Sequence, residues 1–379
     1  MDREKYFELS PRIARWKIDT PLENWLANKA ETSIFWRKAY LLFYNIFDHQ
    51  YYKRGREMAE NAIVNHASGR NITNINEVVD DMIFCLHKYG YSFQDYCIYE
   101  FAVNQDIGYR TSFVADKLRY HYCDILNAPN TLEILTNKFS CFKHYKQFYK
   151  REMIGCFSNE DKDLLIDFTS RHGKFIFKPL EAHSGNGVEI YDVENLNLSR
   201  FFNEKLSDGA FVLEELIIQG EETARMHPKS INSCRVLTFT NKGKVNIIGT
   251  IWRVGSGGSI KDNAGAGGMY AYVNPETGVV DTDAINFKGI HYKSHPDTGL
   301  SFKGYQMPAW DDAITLISEM ATNIAGTTLI AWDIAYSKDG WVMVEANENG
   351  GWRIIQSNKK IGYKNLLFSY MDQYFGKNE

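Results

Sequence analysis

The hydrophobic periodicity of this sequence changes once along its length, and that change limits the possible folds more than any other feature. Between about residues 20 and 125 apolar side chains recur with the helical period of about 3.6 residues. Ile75, Val78, Val79, Met82, Ile83 and Leu86 make one stripe, and Phe35, Ala39, Leu42, Phe43 and Ile46 make another. Both are assigned to packing between helices. From about residue 174 the pattern is that of strands: KFIFKPL, GVEIYDV, GAFVLEELI, SCRVLTFT, KVNIIGTIWRV and MYAYV, each bounded by turn residues. One helix interrupts them, WDDAITLISEMATNIAG, with Ile314, Ile317, Met320, Ala321 and Ile324 on one face and Gly326 as its stop. The expected class is α+β, with a mainly helical N-terminal region.

A chain of 379 residues can bury two or three sizeable cores. With 44% hydrophobic and 24% charged residues it is expected to be globular throughout. The net charge is −4 and no long basic tract occurs, so nucleic acid is not an expected partner. Cys85, Cys97, Cys123, Cys141, Cys156 and Cys234 form no CxxC pair and read as packed, reduced thiols of a cytoplasmic protein. The start MDREKYFELS lacks the apolar core of a signal peptide, and runs such as AYLLFYNIF are too short to span a bilayer.

The stretch AWDIAYSKDGWVMVEANENGG places acidic groups inside an otherwise apolar hairpin. Strands are expected over 329–336 and 341–347. With a three-residue loop Lys338-Asp339-Gly340, Ile330, Trp332, Ile334 and Tyr336 share a face with Val342, Val344 and Ala346. The opposite face then carries Asp333 across from Glu345, with Trp341, Met343 and Asn347 alongside. Opposed carboxylates repel unless a cation lies between them, and oxygen donors suit a hard ion such as Mg²⁺. The alternative is three hairpin residues facing water, each with its own surface partner.

Other polar groups fit the same kind of site. Lys178 ends a strand, and HSGNG, residues 183–187, then turns the chain into the next one; glycines there allow backbone N–H groups to approach phosphate oxygens. There is no GK[ST], and a strand rather than a helix follows, so this is not a Walker A loop. The exit of FVLEELIIQGEE offers Glu214, Glu215 and Glu221, carboxylates that could accept from ribose hydroxyls. Arg235 opens a strand, and Arg253, Asp262 and Asn263 flank a glycine-rich segment; arginines beside acidic metal ligands suit a clamped phosphoryl group.

In this order the parts resemble the ATP-grasp superfamily of carboxylate–amine ligases. More narrowly, HPKSINSCRVLTF, WRVGSGGSIKDNAGAGG, WDIA and EANENGG look like the sugar-transfer-associated ATP-grasp family of bacterial polysaccharide loci. The similarity spans about residues 85 to 370. It implies an ATP-grasp fold in which two α+β subdomains, 126–213 and 214–379, grip ATP beside a helical region, 1–125. By the resemblance Lys138 and Lys178 contact nucleotide phosphates under a loop containing His183, Ser184, Gly185 and Gly187. Glu221 binds ribose, with Glu214 and Leu216 near adenine, and Asp333, Glu345 and Asn347 hold two Mg²⁺ ions. HSGNG has fewer consecutive glycines than many relatives. Arg235, Arg253 and Asn263 are placed in catalysis, and Gly267, Gly268 and Arg353 at the substrate, by position. The implied reaction is ADP-forming ligation of a small carboxylate and an amine through an acyl phosphate. A phosphotransferase acting on a hydroxyl would use the same machinery, and a non-catalytic nucleotide-binding module is the third reading.

Overall fold

The structure, a computed structural model, describes residues 20–67, 72, 74–180, 187–262, 264–348 and 350–376. Its strands are β1 (Met153–Cys156), β2 (Lys174–Pro179), β3 (Glu189–Asp192), β4 (Phe211–Glu215), β5 (Ser233–Asn241), β6 (Lys244–Val254), β7 (Met269–Val273), β8 (Ala284–Ile285), β9 (His291–Tyr292), β10 (Leu329–Ser337) and β11 (Gly340–Asn347). Backbone hydrogen bonds sort them into a four-stranded sheet, β1-β4-β2-β3, and a seven-stranded sheet, β11-β10-β5-β6-β7-β8-β9. All pairings are antiparallel. The architecture is the expected α+β one, with helices from Pro21 to Tyr149 preceding the first strand.

Alternation along the central strands explains how the large sheet is covered. In β5, Val236 and Cys234 point to one face and Leu237 and Phe239 to the other, so both faces are apolar and both need a layer. Leu237, Phe239, Ile251 and Leu329 pack with the N-terminal helices and with Leu367 and Met371 of the Lys364–Tyr374 helix. Val236, Trp252, Trp332 and Ile334 pack with the Trp310–Asn323 helix and with the Lys138–Tyr149 helix. The small sheet has its own core, Phe175, Phe177, Phe211 and Leu213 against Phe168, Phe201 and Phe202.

One expected stripe is turned. Phe35, Leu42 and Ile46 are 72%, 56% and 67% exposed; Phe43 is buried as expected, but the Ile34–Phe47 helix buries Tyr40, Leu41 and Tyr44 beside it. That helix is apolar on more than one side, so periodicity alone does not choose its inner face. The choice follows a polar contact: Tyr40 Oη donates to Glu23 Oε1 at 2.6 Å, and Glu23 is wholly buried. A buried carboxylate needs its donors, and the aromatic hydroxyls supply them.

Candidate active site

The acidic hairpin has the expected register but reaches it differently. Ser337 pairs with Gly340, so the loop is the two residues Lys338 and Asp339, not three. Pairing then runs Tyr336–Trp341, Ala335–Val342 and Ile334–Met343 before shifting to Asp333–Glu345. Val344 is therefore the extra residue of a β-bulge. The bulge changes which side chains face the core: Trp341 and Met343 join Trp332 and Ile334, where the simple hairpin had put them on the acidic face. Large apolar groups are buried while Glu345 still lies opposite Asp333.

The two carboxylates differ in exposure. Asp333 is completely buried, whereas the Glu345 side chain is open to solvent. They lie within hydrogen-bonding reach of one another. Burial would raise Asp333, but Arg235 and Arg253 outweigh it and hold its carboxyl well below the usual carboxylate range. Arg235 Nε and Nη2 both donate to Asp333 at 2.8 Å, a bidentate pair, and Arg253 Nη2 donates to Oδ2 at 2.9 Å. Asn347 Nδ2 reaches the same oxygen at 3.2 Å. The Glu345 carboxyl is pushed up, first by the protein packed around it and then by the charge of Asp333. Glu345 is thus an accessible carboxylate set against a buried one.

The opposite cations come from the Lys138–Tyr149 helix and from β2 of the small sheet. Lys138 Nζ donates to the Pro179 and Leu180 carbonyls at 3.1 Å each, at the exit of β2. Burial and then Lys178 lower its ammonium, while Glu345 raises it, so all three share one field. Lys178 is ion-paired to Glu214, which is buried in β4. Glu214 also accepts from Arg151, whose Nη1 donates to the Met343 carbonyl at 2.6 Å and whose Nη2 reaches the Val344 carbonyl at 3.4 Å. Arg151 thus caps the bulge of one sheet and ties it to a lysine of the other.

Residues 195–369 match the family model described as sugar-transfer associated ATP-grasp. The chain carries an ATP-grasp region. No curated protein matches the sequence. Among solved structures, similarity extends to D-alanyl-alanine synthetase A from Vibrio cholerae O1 biovar eltor, 11% identical, covering 65% of this chain and 67% of that one with a TM-score of 0.43. D-Alanine-D-alanine ligase from Helicobacter pylori is 11% identical, with 68% of each chain covered and a TM-score of 0.40. The ATP-grasp ligase PsnB with its minimal precursor is 12% identical, with 68% of each chain covered and a TM-score of 0.41.

Around the ATP-grasp region the other expected residues fall into three groups. Gly187 lies at the site: a Cβ there would meet Pro179 Cγ at 2.8 Å, beside the carbonyls that hold Lys138. Gly267 and Gly268 precede β7, next to Ser256, whose Oγ donates to the Gly267 carbonyl at 3.3 Å. Glu214 is an internal ion-pair partner rather than an exposed hydrogen-bond acceptor. Leu216 follows β4 directly, and Glu221 opens the Glu221–Ala224 helix, whose preceding Gly220 packs on Tyr336. Arg353 turns away from the acidic pair and binds Asp95 and Asp116 at 2.7 and 3.0 Å. His183, Ser184, Gly185 and Asn263 lie outside the described residues.

The donor set was tested against a divalent cation. Among the described residues no three His, Cys, Asp or Glu side chains gather into a metal group, but two opposed carboxylates and an amide do come together. Of the pair, Asp333 is engaged by Arg235, Arg253 and Asn347, while Glu345 is exposed. Opposed carboxylate oxygens with one of them accessible are donors of the kind Mg²⁺ takes. Two successive left-handed glycines, Gly350 at φ 77° and Gly351 at φ 64°, follow it; a Cβ on Gly351 would stand 3.0 Å from Arg235 Nη1. Arg151 was missed from sequence because YKREM carries no motif, and its partners lie 63 and 192 residues away.

Proposed function

We propose that the chain is an ATP-dependent ligase that joins a carboxylate to an amine, releasing ADP and phosphate. The observation that carries this reading is the opposed pair Asp333 and Glu345, flanked by Arg235 and Arg253 and sharing a field with Lys138 and Lys178. Subdomains 126–213 and 214–379 would hold the nucleotide between them. Lys138, Lys178 and the 183–187 loop would bind its phosphates, Glu221 its ribose, and the backbone around Leu216 its adenine. Asp333, Glu345 and Asn347 would hold one or two Mg²⁺ ions, which would supply charge neutralisation at the β- and γ-phosphates.

Within that arrangement Arg235 and Arg253 have the chemistry to bind a phosphoryl group in flight. Their guanidiniums are positioned beforehand by Asp333, so they need no reorganisation as negative charge develops. Burial disfavours the charge on Arg253, but Asp333 and Asp262 outweigh it and keep the guanidinium cationic. Asn263 and the glycines 267 and 268 would border the substrate. The family description supports a place in polysaccharide or sugar–peptide conjugate synthesis.

The deciding experiment is a screen for ADP release against sugar acids, amino acids and other carboxylates, with hydroxylamine in place of the amine. A trapped hydroxamate with ADP is the expected result. AMP, or ADP with a phosphorylated hydroxyl, would overturn the ligase reading while sparing the ATP site.

A further inference from the structure

A cavity of 510 Å³ lies in the N-terminal helical layer, and none of the ATP contacts proposed above uses it. Tyr51, Tyr52, Met58, Ile83, Leu86 and Phe93 form the larger apolar part of its wall. His87 lies at its inner side, buried among Tyr40, Tyr44 and Tyr51; burial and then Lys117 push its imidazole down to about 3, so it is neutral. No aspartate or glutamate lines the cavity, whereas Arg54, Lys117 and Arg353 do. Arg353 is neutralised by Asp95 and Asp116. Arg54 and Lys117 make no ion pair among the described residues. Two cations with no carboxylate beside them in the lining, over an aromatic and aliphatic wall, complement an anion with an apolar body.

The cavity is joined to the acidic pair by a short piece of chain. Arg353 is two residues beyond Gly351, which abuts the Arg235 guanidinium, and Arg235 grips Asp333. The wall also contains an unusual helical position. Gly55 sits in the middle of the His49–Val64 helix, where glycine is less favourable than alanine. A Cβ there would meet only Phe93 Cζ, at 3.9 Å, so the glycine is not forced by crowding; its missing side chain leaves volume in the cavity.

We propose that this cavity binds an organic anion with a bulky aromatic or aliphatic body. The apolar body packs between the His49–Val64 and Ile75–Tyr89 helices, and Lys117 and Arg54 attract the anionic group. The binding chemistry rests on the cavity alone, since none of the residues proposed to handle ATP lines it.

The test titrates the full-length protein with 4-phenylbutanoate and decanoate by calorimetry, with the matched alcohols as uncharged controls. The acids should bind at least 10-fold more tightly than the alcohols. Gly55→Leu, which fills the cavity, and Lys117→Glu, which reverses its charge, should each weaken acid binding at least 10-fold and leave ATP binding unchanged. Gly55→Ala should bind the acids nearly as well as the parent, separating lost volume from lost fold. Equal binding of acids and alcohols, or of acids to parent and variants, overturns the cavity chemistry itself.

Discussion

Asp81 in the N-terminal helices and Asp333 in β10 have the same partners: each is buried and each holds two arginines. Asp81 accepts from Arg37 at 2.7 Å, from Arg110 and from Tyr96 Oη at 2.6 Å, and Arg110 also donates to the Phe101 carbonyl at 2.6 Å. Around Asp81 both carboxylate oxygens are taken up by protein donors. Around Asp333 a further carboxylate, Glu345, stands opposite and opens to solvent. The fold of the hairpin needs Asp333 to neutralise Arg235 and Arg253, but it has no comparable need for Glu345. A carboxylate that structure does not require, placed against one that it does, is what separates a binding site from an internal ion-pair network.

Substitutions can break that comparison. The largest effect is expected from Asp81→Asn, which leaves two guanidiniums buried beside a neutral amide and should cost about 3–5 kcal/mol of stability. Denaturant unfolding would measure it, and a loss below about 1 kcal/mol would show that the helical cluster is not the structural one. Glu345→Gln should do the opposite: turnover of ATP with Mg²⁺ should fall at least about 100-fold, while stability stays within about 0.5 kcal/mol of the parent. Near-parental ADP release in this variant would remove the cation site.

Arg151→Met tests the tie between the sheets. It leaves Glu214 with Lys178 alone and uncaps the Val344 bulge, for an expected loss of about 2 kcal/mol. Weakened ATP binding should accompany it, because Lys178 would be drawn further towards Glu214. Unchanged affinity, read by nucleotide titration, would mean that the tie serves the fold alone.

The smallest effect separates the two regions by pH. His87 is held at about 3 in the folded chain against an ordinary value of 6.5. The unfolded chain therefore takes up the proton first, so the stability associated with neutral His87 is complete above about pH 6.5 and is lost as pH falls towards 3. His87→Gln should flatten stability between pH 6 and pH 4 by up to about 1.4 kcal/mol per pH unit. Parallel profiles for parent and variant would sink the assignment.

Much of the strand-rich part was legible in advance. β2 to β7 fall within the segments picked out by alternation and turn residues, because strand character is carried by neighbours one and two positions away. β1 was not seen: MIGC is only four residues long and contains Gly155, too little pattern to read. The buried face of the Ile34–Phe47 helix was misjudged because its apolar residues surround it, and only Glu23, a residue of the preceding helix, decides which side turns inward.

The acidic hairpin divides the two kinds of information most sharply. Residue types alone pointed to a hairpin over 329–347 with Asp333 opposite Glu345, because that register kept the apolar faces together; the pairing is observed. How the chain meets that requirement depended on contacts far along the sequence. A two-residue loop is compatible with the acidic pair only if one residue bulges, and a bulge leaves carbonyls that need a donor. Arg151 provides it from before β1, and Glu214 neutralises Arg151 from β4. Periodicity is a property of neighbours, so it can be read in one dimension; the partner of a buried charge is whichever group packing brings within about 3 Å, and only the tertiary structure selects it.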